Sequence, residues 1–202
     1  MRYIGRAGSL YTWGDGYHTI LGHNTAYPNQ TPQKVTLTHR VPSEHPLAVY
    51  THPNQRRTTQ PLTQLFLKVA TGPYHTAAIS ESHQVFTFGV NTYNKLGHSL
   101  NNKIPCRVPT LASNKVVDVA CGLDHTLAVT GKNYLDLGKV YSWGYGGENK
   151  SFLYTLMFYE EPGALGQGDW HNYNIPTIVK DIEEVVSVEA GFYHSLALKS
   201  DL

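Results

Sequence analysis

The chain has 202 residues, with sixteen Lys and Arg against fifteen Asp and Glu, for a net charge of +1. Charged residues make up 15%, against about 25% in an average chain, and hydrophobic residues 41%, which excludes a disordered, charge-driven tail. The absence of a basic excess argues against a broad phosphate-binding surface. Two cysteines, Cys106 and Cys121, exclude a disulfide scaffold and a four-cysteine zinc site. They read as buried, reduced thiols, with a single disulfide as the other reading. Eighteen Gly, eleven Pro and fourteen Tyr favour turns and strands over long helices. Residues 1–9 hold no signal peptide, and the apolar stretch 152–159 is far short of the roughly 20 residues that span a bilayer. The expectation is a soluble protein of the cytoplasm or nucleus.

Three units repeat along the chain. The first opens on Leu10-Tyr11-Thr12-Trp13-Gly14, followed by Leu21-Gly22 and Pro32. The second opens on Val85-Phe86-Thr87-Phe88-Gly89, followed by Leu96-Gly97 and Pro105. The third opens on Val140-Tyr141-Ser142-Trp143-Gly144, followed by Leu165-Gly166 and Pro176. Each unit closes on Gly-x-x-His and a short apolar run. These closures start at Gly72 and His75, Gly122 and His125, and Gly191 and His194. The units span about 10–79, 85–129 and 139–198 of a single domain covering 1–202. In the third, 139–143, 175–180, 185–190 and 194–198 read as four short strands bounded by turn residues. Four strands per unit predict an all-β, propeller-type fold of about three four-stranded blades.

Trp13, Phe88 and Trp143 are suited to filling space between blades, and the Gly residues to tight turns or close approach. His75, His125 and His194 are expected to make a buried hydrogen bond to backbone in each blade. The position two after each Leu-Gly pair holds Asn24, Ser99 and Gly168. Ser enters the left-handed region less readily than Asn or Gly, so the turn after Leu96 is expected to differ in shape.

The run Tyr-Ser-Trp-Gly, Leu-Gly-x-Gly, Pro, Val-Val-x-Val-x-x-Gly-x-x-His-Ser-Leu-Ala-Leu resembles the regulator of chromosome condensation repeat. Residues 139–146 and 163–198 match it closely, and 116–129 nearly as well. The resemblance implies part of a seven-bladed propeller. Three units do not close a ring, so an incomplete ring is expected. A fragment of a longer chain is the first reading, with a self-assembling homo-oligomer and an open arc as the others.

Two insertions interrupt the units. Residues 36–64 hold four prolines with His39, His45 and His52, whose spacing matches no zinc pattern, and the basic pair Arg56-Arg57. Residues 147–162 hold an apolar, aromatic run followed by two carboxylates. Phe152, Leu153, Tyr154, Phe158, Tyr159, Glu160 and Glu161 are the candidate partner-binding residues there. A segment folded back on its blade and an annotation artefact are the other readings.

No nucleophile elbow or phosphate-binding Gly-x-x-x-x-Gly-Lys loop is present, so no covalent catalytic residues, metal or cofactor are expected. The expected function is a protein–protein interaction module, a scaffold or adaptor. The resemblance also implies an alternative: a guanine nucleotide exchange factor for a Ran-like or other small GTPase, acting through a projecting loop. The expected partner is accordingly a protein, with a small GTPase as one form of it.

Overall fold

A computed structural model gives the structure of the protein and describes residues 7–37, 64–100, 102–131, 138–148 and 163–200. The described residues form twelve strands. They are β1 (Tyr11–Gly14), β2 (Asn29–Lys34), β3 (Phe66–Thr71), β4 (His75–Ser80), β5 (Val85–Gly89) and β6 (Cys106–Arg107). They continue as β7 (Val116–Cys121), β8 (His125–Thr130), β9 (Val140–Gly144), β10 (Tyr173–Ile178), β11 (Val185–Ala190) and β12 (Ser195–Lys199). Three short 3-10 turns, at Tyr17–Thr19, Thr92–Asn94 and Pro109–Leu111, interrupt the loops. Among the described residues no helix is long and apolar enough to cross a membrane.

The strands pair antiparallel into two complete blades, β3-β4-β5-β6 and β7-β8-β9-β10, flanked by two half-blades, β1-β2 and β11-β12. The fold is thus all-β and propeller-type, with an open arc of blades. The sequence repeat and the blade are out of phase, however. Each complete blade takes its two inner strands from the end of one sequence unit and its outer strands from the start of the next. The unit 139–198 therefore does not form one blade: β9 and β10 join β8, whereas β11 and β12 stand as a separate pair.

Burial explains the strand sequences. β4 and β8 are buried along their whole length, because neighbouring blades cover both faces. They consequently read as runs of small and apolar residues, His-Thr-Ala-Ala-Ile-Ser and His-Thr-Leu-Ala-Val-Thr, rather than as an alternation. The cores lie between blades. Ile79, Val108, Val119 and Trp143 pack between the two complete blades. Leu10, Val35, Phe66 and Phe88 pack under the first half-blade, and Leu127, Val140 and Val188 under the last.

Each innermost strand carries an irregularity at the same place, between Phe66 and Lys68, Val116 and Asp118, and Val185 and Ser187. The extra residue aligns the side chain after it toward the neighbouring blade. Buried Asp118 pairs with the Lys68 ammonium on one side. On the other it accepts from the Ser187 hydroxyl at 2.7 Å and the Val188 N–H at 3.2 Å. One carboxylate thereby joins β3, β7 and β11. Lys68 is partly exposed, so the ion pair itself contributes little, and the hydrogen bonds dominate. Asp118→Ala is expected to lower stability by about 2 kcal/mol in urea unfolding, and Asp118→Asn, which keeps one acceptor oxygen, by less.

Candidate functional site

The repeated histidines form a relay between blades. His75 Nε2 lies 2.8 Å from Thr126 Oγ1 of the next blade, and His125 Nε2 lies 3.0 Å from Ser195 Oγ of the one after. The hydroxyls are themselves spent: Thr126 donates to the Lys95 carbonyl at 2.7 Å and Ser195 to the Ala164 carbonyl at 2.5 Å. A hydroxyl has one proton, so each histidine must donate from Nε2, which leaves Nδ1 bare. Among the described residues His75 Nδ1 indeed has no partner. The partner is therefore a hydroxyl of the following blade, not the backbone expected from the sequence. His194 departs further, for it is exposed and meets no hydroxyl among the described residues.

The same carbonyl segment is gripped a second time from its own blade. Thr12, Thr87 and Ser142, the middle residues of the three opening strings, donate to the carbonyls of Leu21, Leu96 and Leu165 at 2.6, 2.7 and 2.6 Å. The Leu-Gly landmark is thus a loop held by hydroxyls from two blades. The turn after it varies as expected: Asn24 and Gly168 adopt positive φ, and Ser99 does not.

The glycines before the histidines have a steric reason. A Cβ on Gly122 would fall 2.1 Å from Cε1 of the His125 ring, and one on Gly191 would fall 2.2 Å from Cε1 of His194. Gly72 instead abuts the Gly122 carbonyl of the next blade. Gly89 and Gly144 lie against the backbone of the Gly-x-x-His turns, whereas Gly14 is in open space. Phe88 and Trp143 are fully buried between blades. Trp13 is 60% exposed, so it does not fill an inter-blade space as expected.

His75 pairs with Gly89 and His125 with Gly144, so the Gly-x-x-His turns and the aromatic-Gly strand ends share one edge of the arc. That edge carries residues 15–28, 90–100, 102–105, 145–148 and 163–172 as well. Every exposed large apolar side chain outside a strand, among the described residues, lies on it. Tyr17, Tyr27, Tyr74, Tyr93, Trp170, Phe192 and Tyr193 supply the aromatic ones. Ring contacts order several of them, with His18 edge-on to both Tyr17 and Tyr74 and Tyr93 at 4.5 Å from Tyr145. Beneath them the buried Lys95 ammonium reaches Asp124 at 2.5 Å and the Leu123 carbonyl at 3.3 Å, with the Tyr74 ring 5.3 Å away. Burial lowers the Lys95 pKa, and the Asp124 carboxylate works against that shift. The sequence reading missed this face. Its signal was the aromatic filling of the variable positions in Gly-x-x-His.

The seven candidate partner-binding residues, Phe152 to Glu161, lie outside the described residues, as do the histidines and arginines of the first insertion. Their flanks are described. Glu148 and Gly163 root the second insertion on the aromatic edge, where Gly163 N–H bonds the Gly146 carbonyl at 3.2 Å. Leu37 and Gln64 root the first on the opposite edge. Cys121 is a buried free thiol whose pKa burial pushes up to about 12, and Cys106 is half-buried and also raised by burial. Neither is poised as a nucleophile.

The regulator of chromosome condensation (RCC1) repeat model matches residues 7–79, 82–129 and 160–198. The chain belongs to the RCC1 repeat family. It is 28% identical to the human E3 ubiquitin-protein ligase HERC2 over 197 residues, 95% of this chain and 3% of that protein. It is 33% identical to the human probable E3 ubiquitin-protein ligase HERC4 over 135 residues, 64% of this chain and 12% of that protein. The chain therefore spans a small part of the curated relatives it matches. Among solved structures, Prp20p of Saccharomyces cerevisiae superposes with a TM-score of 0.66 at 18% identity, covering 96% of this chain and 41% of Prp20p. Human WBSCR16 gives 0.52 at 18%, covering all of this chain and 60% of its own. These likenesses show the RCC1 propeller fold.

The relay makes stability pH-dependent. Burial first, then the Lys95 charge, lowers the His75 pKa to about 3. Burial, then His194, lowers that of His125 to about 4. Unfolded histidine takes a proton near pH 6.5, whereas these two stay neutral in the fold. Their contribution is complete above about pH 6.5 and is lost as pH falls toward 4, at about 1.4 kcal/mol per pH unit for each histidine. Urea midpoints across that window should show the slope, and His125→Gln should reduce it to the share of His75 alone. His125→Ala is expected to destabilise the fold by about 2 kcal/mol without a selective loss of partner binding.

Proposed function

We propose that this RCC1 domain is a protein-docking module that binds its partner across the edge carrying the Gly-x-x-His turns. One observation carries the reading: all exposed large apolar side chains outside the strands, among the described residues, lie on that edge. Tyrosine and tryptophan supply large contact area at low entropic cost, and they dominate the centres of protein interfaces. Here they sit on loops braced by a rigid sheet, the usual setting for a binding surface. The second insertion belongs to the same proposal, since Glu148 and Gly163 root it on this edge. Phe152, Leu153, Tyr154, Phe158, Tyr159, Glu160 and Glu161 are its proposed contacts. A cytoplasmic or nuclear setting fits two cysteines that form no disulfide.

Nucleotide exchange on a small GTPase is the alternative. Prp20p was described with its binding properties to Gsp1p and histones, and it shares the fold. Fold alone does not assign that activity. Accelerated release of labelled GDP from a small GTPase would favour exchange, and binding without acceleration the scaffold.

A photo-crosslinking residue placed at Tyr17 or Tyr193 is expected to yield protein adducts in cells, and one placed at Ser82 on the opposite edge none. Adducts equally abundant at Ser82 would defeat the proposed face. The combined variant Phe152→Ser, Leu153→Ser, Phe158→Ser is expected to weaken capture of the crosslinked partner about tenfold or more, with the circular dichroism spectrum unchanged.

A further inference from the structure

Beneath the aromatic edge one inter-blade position departs from the repeat. The carbonyls that accept from Thr76, Thr126 and Ser195 belong to Ile20, Lys95 and Ala164. The second variable residues of the corresponding Gly-x-x-His turns are Tyr74, Asp124 and Tyr193. An apolar side chain and a tyrosine thus hold these places in the first and third units, and an ammonium and a carboxylate in the second. The charged pair joins the two complete blades, Lys95 from the loop after β5 and Asp124 from the turn before β8.

Packing does not require this pair. Taking an ammonium out of water is costly, and a buried ion pair is often no more stable than an apolar pair of similar size. The apolar arrangement occurs twice in the same molecule. What the ion pair does, and an apolar pair cannot, is hold a carboxylate at the surface. The Lys95 side chain is fully buried, whereas 26% of the Asp124 side chain stays exposed. The ammonium takes Oδ1 at 2.5 Å, and Oδ2 makes no hydrogen bond among the described residues.

The surroundings select what that oxygen can accept. In the preceding blade the Tyr74 ring lies 5.3 Å from the ammonium. In its own blade the Tyr145 N–H donates to the Asp124 carbonyl at 2.8 Å, and the Tyr145 ring lies 4.5 Å from that of Tyr93. Tyr74 and Tyr93 are 38% and 41% exposed. Among the described residues this edge holds four carboxylates, Asp15, Asp124, Glu148 and Asp169, against two ammonium groups, Lys95 and Lys103. The balance favours a cation. Aromatic walls favour a planar one: a guanidinium donates in its plane and offers its face to a ring, whereas an ammonium is a strongly hydrated point charge.

We propose that the partner presents an arginine to this edge, its guanidinium donating to Asp124 Oδ2 and lying against the exposed tyrosine rings beside it. The inference rests on the docking edge proposed above and names the chemistry that edge reads. Lys95 is a positioning residue, which fixes the carboxylate without touching the partner.

The test is a titration of the purified full chain with a capped three-residue peptide carrying a central arginine, followed through backbone amide resonances by NMR. The arginine peptide is expected to shift the amides of Leu123, Asp124 and Tyr145 at millimolar concentration. Its citrulline counterpart, which has the same shape without the charge, is expected to bind about tenfold or more weakly. The double variant Lys95→Ile, Asp124→Tyr copies the first unit. It is expected to keep the wild-type circular dichroism spectrum and to lose the arginine-induced shifts. Asp124→Asn, which removes the charge alone, is expected to weaken the arginine peptide by about tenfold. No shift at any concentration, equal shifts with citrulline or glutamate, or unchanged binding in either variant would overturn the proposal. Crosslinking from Tyr17 separates it from the docking reading. Adducts that persist at wild-type yield in the double variant leave the edge standing and overturn the arginine. Absence of adducts from the wild-type chain counts against the edge, and the titration then decides the arginine by itself.

Discussion

A single proton on a hydroxyl governs how the blades hold together. Thr126 and Ser195 each have one proton to donate, and each gives it to a carbonyl of the loop before Leu-Gly. The histidine of the preceding blade must then act as donor, in one tautomer, with its other nitrogen unprotonated. Everything around it follows: a glycine where a Cβ would strike the ring, a fully neutral imidazole, and strands buried on both faces. The cost of placing a charge there is what makes the relay sensitive to acid, and it falls on the inter-blade contacts rather than on the sheets.

Much of the scaffold was legible because the relay repeats. The aromatic-Gly, Leu-Gly and Gly-x-x-His landmarks each mark a group that meets its counterpart in a neighbouring blade, so their order along the chain reveals the architecture. Their phase does not. A repeat unit can begin anywhere within its period, and nothing in the third unit says that β9 belongs with β8 and not with β12. The partner of the histidines was hidden for a related reason. The hydroxyl at Thr126 or Ser195 directly follows a histidine in sequence, yet it serves the histidine of the previous blade, about fifty to seventy residues earlier. Trp13 stands in nearly the same string as Trp143, but burial depends on whether a Leu-Gly loop lies beneath it.

The candidate site was less legible because it sits in positions that the repeat leaves free. The insertion with Phe152 and Tyr159 drew notice by its length and composition. The aromatic edge is instead assembled from single residues spread over 17–193, none conspicuous alone. Only the strand register, which sets His75 against Gly89 and His125 against Gly144, shows that these turns share one edge.

That register also separates the two roles of each turn. In Gly-x-x-His the outer residues are committed to packing: the glycine to a close contact, with the histidine ring of its own turn in two cases and with the next blade in the third, and the histidines His75 and His125 to the next blade. The inner two are Pro73-Tyr74, Leu123-Asp124 and Phe192-Tyr193, and they are not bound by the same contacts. They project from a backbone whose conformation is already determined by their neighbours. Side chains so placed lose little further freedom when a partner arrives, which favours affinity through preorganisation. Asp124 shows the limit of that freedom, since one oxygen of its carboxylate is taken by Lys95 and tethers one turn to the loop of the preceding blade. The Tyr74 ring lies 5.3 Å from the same Lys95 ammonium, so the apolar docking surface is best developed where a turn presents an aromatic ring rather than a carboxylate held by an ion pair.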